Sequence, residues 1–322
     1  DDARSFTPSR KRLLGRACLM NAAGRLAAFG AGLTVAFAAG YGVAAVVVPG
    51  TAVTTEQQAA TDADHTAIPG PAPMPASATP AGLSLAENGF ELTPVQAPSV
   101  PGRQGILRLT ILDPSGEPLT DYATVHDKQL HLIVVRSDGQ HFAHVHPRLD
   151  VGTGAWSTPW TWSDAGTYRV FTDFQPVGAE SAKLTLSRTF EVAGTFAPVQ
   201  AAGPRTVADV GGYTVHLNGD VAAGASRQLT AHITRQGAPV TTLQPYLSAF
   251  GHLVALRDGD LAYLHVHPEG AEPSPNQNGL PAVAFAAEAP TAGRYLLYFD
   301  FQVDETVHTA TFVLDAPPGE PA

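Results

Sequence analysis

The sequence predicts an all-β protein: two tandem β-sandwiches of immunoglobulin-like type, behind a single N-terminal transmembrane helix and a disordered stalk. Three observations predict it. The 322 residues are rich in Gly (31) and Pro (27) and only 15% charged, which suits short strands and turns better than long surface helices. A segment occurs twice, with a period of about 120 residues. Each copy resolves into about seven short apolar runs between turn signals in about 110 residues, the spacing of an immunoglobulin-like sandwich.

The elements follow in chain order. Residues 1–25 carry Arg4, Arg10, Lys11, Arg12, Arg16 and Arg25 against Asp1 and Asp2, so they are net positive in a chain whose formal charge is −10. From Leu26 to Val48 there is no charge, and at about 1.5 Å per residue that run spans a hydrocarbon core of about 30 Å. Cations before it belong in the cytoplasm, which makes 1–25 a cytoplasmic tail, 26–48 a single-pass membrane helix and everything later extracytoplasmic. A signal peptide cleaved within Gly40–Ala45 is the alternative, and it gives the same location. Cys18 is the single cysteine and precedes the apolar run, so neither an intramolecular disulfide, a cysteine zinc site nor a lipoprotein anchor is expected. The Pro/Ala/Thr-rich segment 49–82 has too few large apolar side chains to fold and reads as a disordered stalk. Two sandwiches are then expected at 83–193 and 206–315, joined by a linker at 194–205 and followed by a tail at 316–322. The acidic outer portion disfavours nucleic acid as a partner and is compatible with cations.

In the first copy strands are expected near 89–95, 106–113, 130–136, 141–146, 155–162, 166–174 and 183–192. In the second they are expected near 213–218, 227–235, 250–257, 261–267, 282–287, 293–301 and 306–314. The repeat is sharpest where His131-Leu-Ile-Val-Val-Arg136 leads to His144-Val-His146-Pro147, and His252-Leu-Val-Ala-Leu-Arg257 leads to His265-Val-His267-Pro268. It resumes at Ala165-Gly-Thr-Tyr168 and Ala292-Gly-Arg-Tyr295, then at Asp173-Phe-Gln175 and Asp300-Phe-Gln302.

Chemistry enters through that pattern. Strand side chains alternate, so His144 and His146 share a face. A turn at Asp138-Gly139 folds 141–146 back on 131–136 and sets His131 across from His146, at a Cβ separation of about 4.5–5.5 Å. The second copy repeats this with His252, His265 and His267. Three imidazoles at one spot are a metal-ligand set, while Asp173 and Asp300 are expected as fourth ligands or as acceptors that orient a histidine. Methionine is confined to Met20 and Met74, so imidazole and carboxylate favour Cu(II) or Zn(II) over Cu(I). His126 and His141 occur only in the first copy; His141 falls on the opposite strand face, and His126 is a loop residue that can contribute to the cluster. His216 and His232 read as surface residues, His308 as partly buried, and Trp156, Trp160 and Trp162 as core. No nucleophile elbow, phosphate loop or zinc-protease helix is present, so an enzyme is not expected.

On His-Leu, His-x-His-Pro, Ala-Gly-x-Tyr and Asp-Phe-Gln the chain resembles membrane-anchored actinobacterial proteins with tandem domains of the YtkA-like and FixH-like group. The resemblance covers about 90–192 and 207–314. It implies a small extracytoplasmic sandwich and a connection to heavy-metal, particularly copper, handling, and it transfers no catalytic residue. The expected function is a membrane-anchored copper- or zinc-binding protein that buffers metal or passes it to a partner protein. The alternative is an adhesive or scaffolding immunoglobulin-like module whose histidines brace the hairpins.

Overall fold

A computed structural model of the chain describes residues 80–178, 182–201, 203–264, 266–274 and 277–318. The expected basic tail, apolar run and nearly all of the stalk lie outside these residues. Among the described residues no helix is long and apolar enough to cross a membrane.

The first domain contains β1 (Ala86–Glu87), β2 (Phe90–Leu92), β3 (Gly105–Leu112), β4 (Leu130–Arg136), β5 (Ala143–Val145), β6 (Arg148–Asp150), β7 (Ala155–Trp160), β8 (Gly166–Phe174) and β9 (Leu184–Val192). They form one sheet in the order β1-β2-β3-β7-β6 and a second in the order β5-β4-β8-β9. The second domain contains β10 (Val207–Val210), β11 (Tyr213–Asn218), β12 (Ser226–Arg235), β13 (Ala238–Pro239), β14 (His252–Arg257), β15 (Tyr263–Leu264), β16 (Val266–Pro268), β17 (Ala282–Glu288), β18 (Gly293–Val303) and β19 (Thr306–Ala316). Its sheets run β10-β11-β12-β17-β16, with β13 beside β12, and β15-β14-β18-β19. Every pairing of neighbouring strands in these sheets is antiparallel.

Each domain is therefore an immunoglobulin-like sandwich: four strands of one sheet follow the A-B-E-D order, and the other sheet follows C-F-G with an added edge strand beside C. A second mark of that fold appears in both copies. Tyr168 Oη donates to the Asp164 carbonyl and Tyr295 Oη to the Thr291 carbonyl, each at 2.9 Å, the tyrosine corner at the start of strand F. These are the tyrosines of the repeated Ala-Gly-x-Tyr.

Burial explains the patterning. In β11 only Tyr213, Val215 and Leu217 point into the core, and the residues between them face outward. In β4 every residue is buried, and β14 is buried as far as Leu256. Leu132 and Val134 enter the core of the first sandwich, whereas Ile133 and Val135 join Phe171, Val254, Leu256, Leu261, Leu296, Tyr298 and Val313 in a separate cluster. That cluster is a seam in which the β5-β4-β8-β9 sheet packs on the β15-β14-β18-β19 sheet. A strand buried on both faces reads as a continuous apolar run instead of an alternation. The contacts across the seam are reciprocal. Phe142 stacks on Tyr298 with ring centres 4.0 Å apart, and the corresponding pair, Tyr263 with Phe171, lies at 5.9 Å. This is the self-complementary arrangement of a two-fold interface, made here within one chain.

Candidate metal centre

The register decides where the histidines go. Strands β4 and β5 pair Leu132 with Val145 and Ile133 with His144, so continuing the register sets His146 opposite His131. Residues directly opposite share a face, and the parity of 131, 133 and 135 directs His131 into the seam. His131 is also opposite Asp173, and His252 opposite Asp300, so all four belong to seam faces. The two domains thus turn their polar clusters toward each other.

His131, His144 and His146 converge, each offering one nitrogen within 4.8 Å of the others. His131 Nδ1 lies 3.1 Å from His144 Nε2 and 3.3 Å from His146 Nε2. Bonds of about 2.0–2.1 Å at a tetrahedral angle place ligand nitrogens about 3.3 Å apart, so the cluster has the dimensions of a metal site.

Outer partners set the tautomers. His131 Nε2 faces the Val125 carbonyl at 3.1 Å and must donate to it, which leaves Nδ1 as a lone pair. His144 Nδ1 faces Asp300 Oδ2 at 3.0 Å, with both side chains almost fully buried, and donates to it, which leaves Nε2 as the nitrogen directed at His131 Nδ1. Asp300 is held in turn by Thr309 Oγ1, which donates to Oδ1 at 2.6 Å. At 3.1 Å these two nitrogens are bridged by one cation, a proton on His144 Nε2 or a metal ion in its place. Burial, and next the His144 ring, hold His131 down to about 3; the same causes in the same order hold His146 down to about 2. Both rings are therefore neutral near pH 7, and His146 presents Nε2 as a coordinating nitrogen in the tautomer protonated at Nδ1.

The carboxylates do not follow the expectation of one per copy. Asp173, expected beside the first-copy histidines, pairs with Lys183 Nζ at 2.8 Å and accepts from Thr185 Oγ1 at 3.2 Å. Asp300, expected to serve the second copy, supports His144 of the first. The seam is the reason: a carboxylate on one domain's C-F-G sheet meets the histidines of the other.

In the second copy His252 Nε2 donates to the Tyr246 and Leu247 carbonyls at 3.0 and 2.9 Å, repeating the brace of His131. Burial, then His144, hold it down to about 3. The expected hairpin 261–267 is interrupted. Strand β15 pairs with β14, but Val266–Pro268 crosses to the other sheet, where His267 is opposite Ala286. His265 and the His267 side chain lie outside the described residues. His126, at φ 49° in the loop before β4, brings its ring 6.3 Å from that of His131 and 5.4 Å from that of His252.

The remaining histidines stand apart. His141 pairs with Asp164 at 3.2 Å. His216 and His232 are cross-strand partners, the first exposed and the second half-buried. His308 packs on Tyr213 and Phe301. Trp156 and Trp162 are buried in the first core, with Trp160 packed against it. The seam and the tyrosine corners are what the sequence reading missed, although the runs HLIVVR and HLVALR carried the signal for the seam.

No curated protein matches the chain. Among solved structures, a chimeric titin Z1Z2-Z1Z2 tandem functionalised with a GRGDS peptide is 15% identical, covering 70% of this chain and 96% of its own, with a TM-score of 0.18. Invasin, a bacterial integrin-binding protein, is 11% identical over 71% of this chain and 39% of its own, with a TM-score of 0.22. The Yersinia pseudotuberculosis adhesin InvE is 11% identical over 72% and 60%, with a TM-score of 0.21. The chain spans well under two thirds of invasin and somewhat under two thirds of InvE, and likenesses at these TM-scores carry no argument about fold or function. One family model matches both repeats, at residues 86–194 and 208–318, and the chain belongs to the family described as domain of unknown function DUF8832.

Proposed function

We propose that this protein is an extracytoplasmic metal-binding protein, tethered through residues 26–48, whose metal centre is His131, His144 and His146 in the seam between its domains. The observation that supports this reading is the convergence of His131 Nδ1, His144 Nε2 and His146 Nε2 on one spot, with the outer nitrogens of His131 and His144 committed to a carbonyl and a carboxylate. Carbonyl and carboxylate acceptors behind ligand histidines fix ring orientation and raise basicity. Neutral imidazoles suit Cu(II) or Zn(II), and the role that fits is buffering the ion or handing it to a partner protein.

A second reading is a non-catalytic adhesive or scaffolding module. It draws on the brace that His131 and His252 both make to the carbonyls of the preceding loop, a structural role needing no metal.

One experiment separates them. Purified full-length protein is stripped with chelator and titrated with Cu(II) and Zn(II), beside a variant carrying His144→Ala with His146→Ala, and beside Asp300→Asn. The metal reading expects the double variant to lose the seam ion and Asp300→Asn to weaken binding by about 10–100-fold. It also expects metal to raise the melting temperature of wild type. Unchanged metal uptake by the double variant, with stability lost equally in the presence and absence of metal, favours the scaffold.

A further inference from the structure

Beside the triad, the seam brings together a second pair of rings from opposite domains. His126 and His252 have ring centres 5.4 Å apart at an interplanar angle of 73°. The three pairs within the triad measure 5.3, 5.0 and 4.9 Å. By contrast, the rings linking the two groups, His126 with His131 and His144 with His252, are each 6.3 Å apart. The spacing therefore groups five imidazoles as three and two.

His252 is prepared as a ligand in the manner of His131. Its Nε2 is committed to the Tyr246 and Leu247 carbonyls, so Nδ1 of the neutral ring is a lone pair. A cavity of about 40 Å³ is bordered by His126, His131, His144, His252 and Asp173, with Lys183 on the same wall. It is large enough for an ion with a bound water. Asp173 Oδ2 is held by Lys183 at 2.8 Å, and a cation entering here competes with the ammonium group for that carboxylate. His126 also borders a wider cavity of about 350 Å³ whose wall includes Glu269 and Glu272. The loop histidine thus stands between a space with carboxylates and the cluster.

We infer a second divalent-cation position between the imidazoles of His126 and His252, in the cavity that Asp173 also borders, adjacent to the triad and bridging the two domains. It rests on the metal reading above in that it expects the same class of ion, but its ligands are different residues. The seam then holds two ions per chain, and His126 borders both cavities.

The test is stoichiometry on the chelator-stripped full-length protein, with Co(II) and Cu(II) as the probes. His126→Asn is the informative variant, because Asn tolerates the positive φ of this position while removing the imidazole. Wild type is expected to hold two ions, His126→Asn one, and the His144→Ala, His146→Ala double variant one. In wild type loaded with Cu(II), dipolar broadening of the paramagnetic resonance spectrum is expected, and it should vanish in His126→Asn. One ion in wild type, or two still held by His126→Asn, overturns the second position and leaves the triad standing. Loss of one ion in His126→Asn with no change in the double variant supports the second position and rejects the triad. No ion in wild type overturns both.

Discussion

Three imidazoles at the seam have proton affinities far below the ordinary histidine value, and the cause is the same for each: burial first, then a neighbouring imidazole. His131 and His252 are held at about 3 and His146 at about 2. The sign of the linkage follows. Above about pH 6.5 these rings are neutral in folded and unfolded chains alike, so their contribution to stability is intact. As pH falls from about 6.5 toward 3, the unfolded chain binds protons that the folded chain refuses, and stability is lost by up to ~1.4 kcal/mol per pH unit per ring. The metal-free protein is expected to show urea midpoints that drop steeply between pH 7 and 5. A flat profile in that window contradicts the buried neutral cluster. Legibility at single positions was mixed. His131 opposite His146 followed from alternation and a short turn, both local. That Asp300 serves His144 could not be read locally, because the two are 156 positions apart and meet only through domain packing.

Strands and turns carry the next layer of constraint. The turn between β4 and β5 holds Gly139 at φ 77°, and a Cβ there would collide with Leu296 Cδ1 of the second domain and lie 3.2 Å from Tyr298 Oη. Tyr298 Oη donates to the Gly139 carbonyl at 2.7 Å, so this turn is also bonded across the seam. Gly139→Ala is expected to lower unfolding free energy by about 2–4 kcal/mol, the sum of a positive-φ penalty and overpacking. Gly237→Ala is the control, since Gly237 has φ 78° and open space around it, and should cost only about 1 kcal/mol. Chemical denaturation of both variants checks the difference. The long apolar strands were legible: 130–136, 166–174 and 213–218 coincide with β4, β8 and β11. Short polar edges such as Arg148–Asp150 were not, because three residues carry no periodicity. The crossing of Val266–Pro268 to the other sheet also has no local signature, since its sequence matches the first copy's His-x-His-Pro.

The two sandwiches within Pro75–Ala322 form one unit because equivalent faces of equivalent sheets meet. Duplication supplies self-complementarity, and the seam then gives the copies different work: the first contributes the triad, and the second contributes the carboxylate behind it. Leu256 is fully buried in the seam. Leu256→Ala is expected to cost about 2–5 kcal/mol. It should also weaken metal binding, although Leu256 carries no ligand atom, because the Asp300–His144 contact depends on the docking. Calorimetric titration with Zn(II) beside a melting curve tests this, and loss of stability with unchanged affinity argues that the site needs only the first domain.

Alternation, turn chemistry and an internal repeat were enough to derive two sandwiches and to gather three histidines in the first, because each depends on residues close in sequence. Domain docking assigned the histidines their partners. A continuous apolar strand announces that both its faces are covered but does not say by what, and here the answer is the other copy of the same strand. Side chains facing a seam take their neighbours from across it, so the carboxylate that orients His144 comes from the domain that does not contain His144.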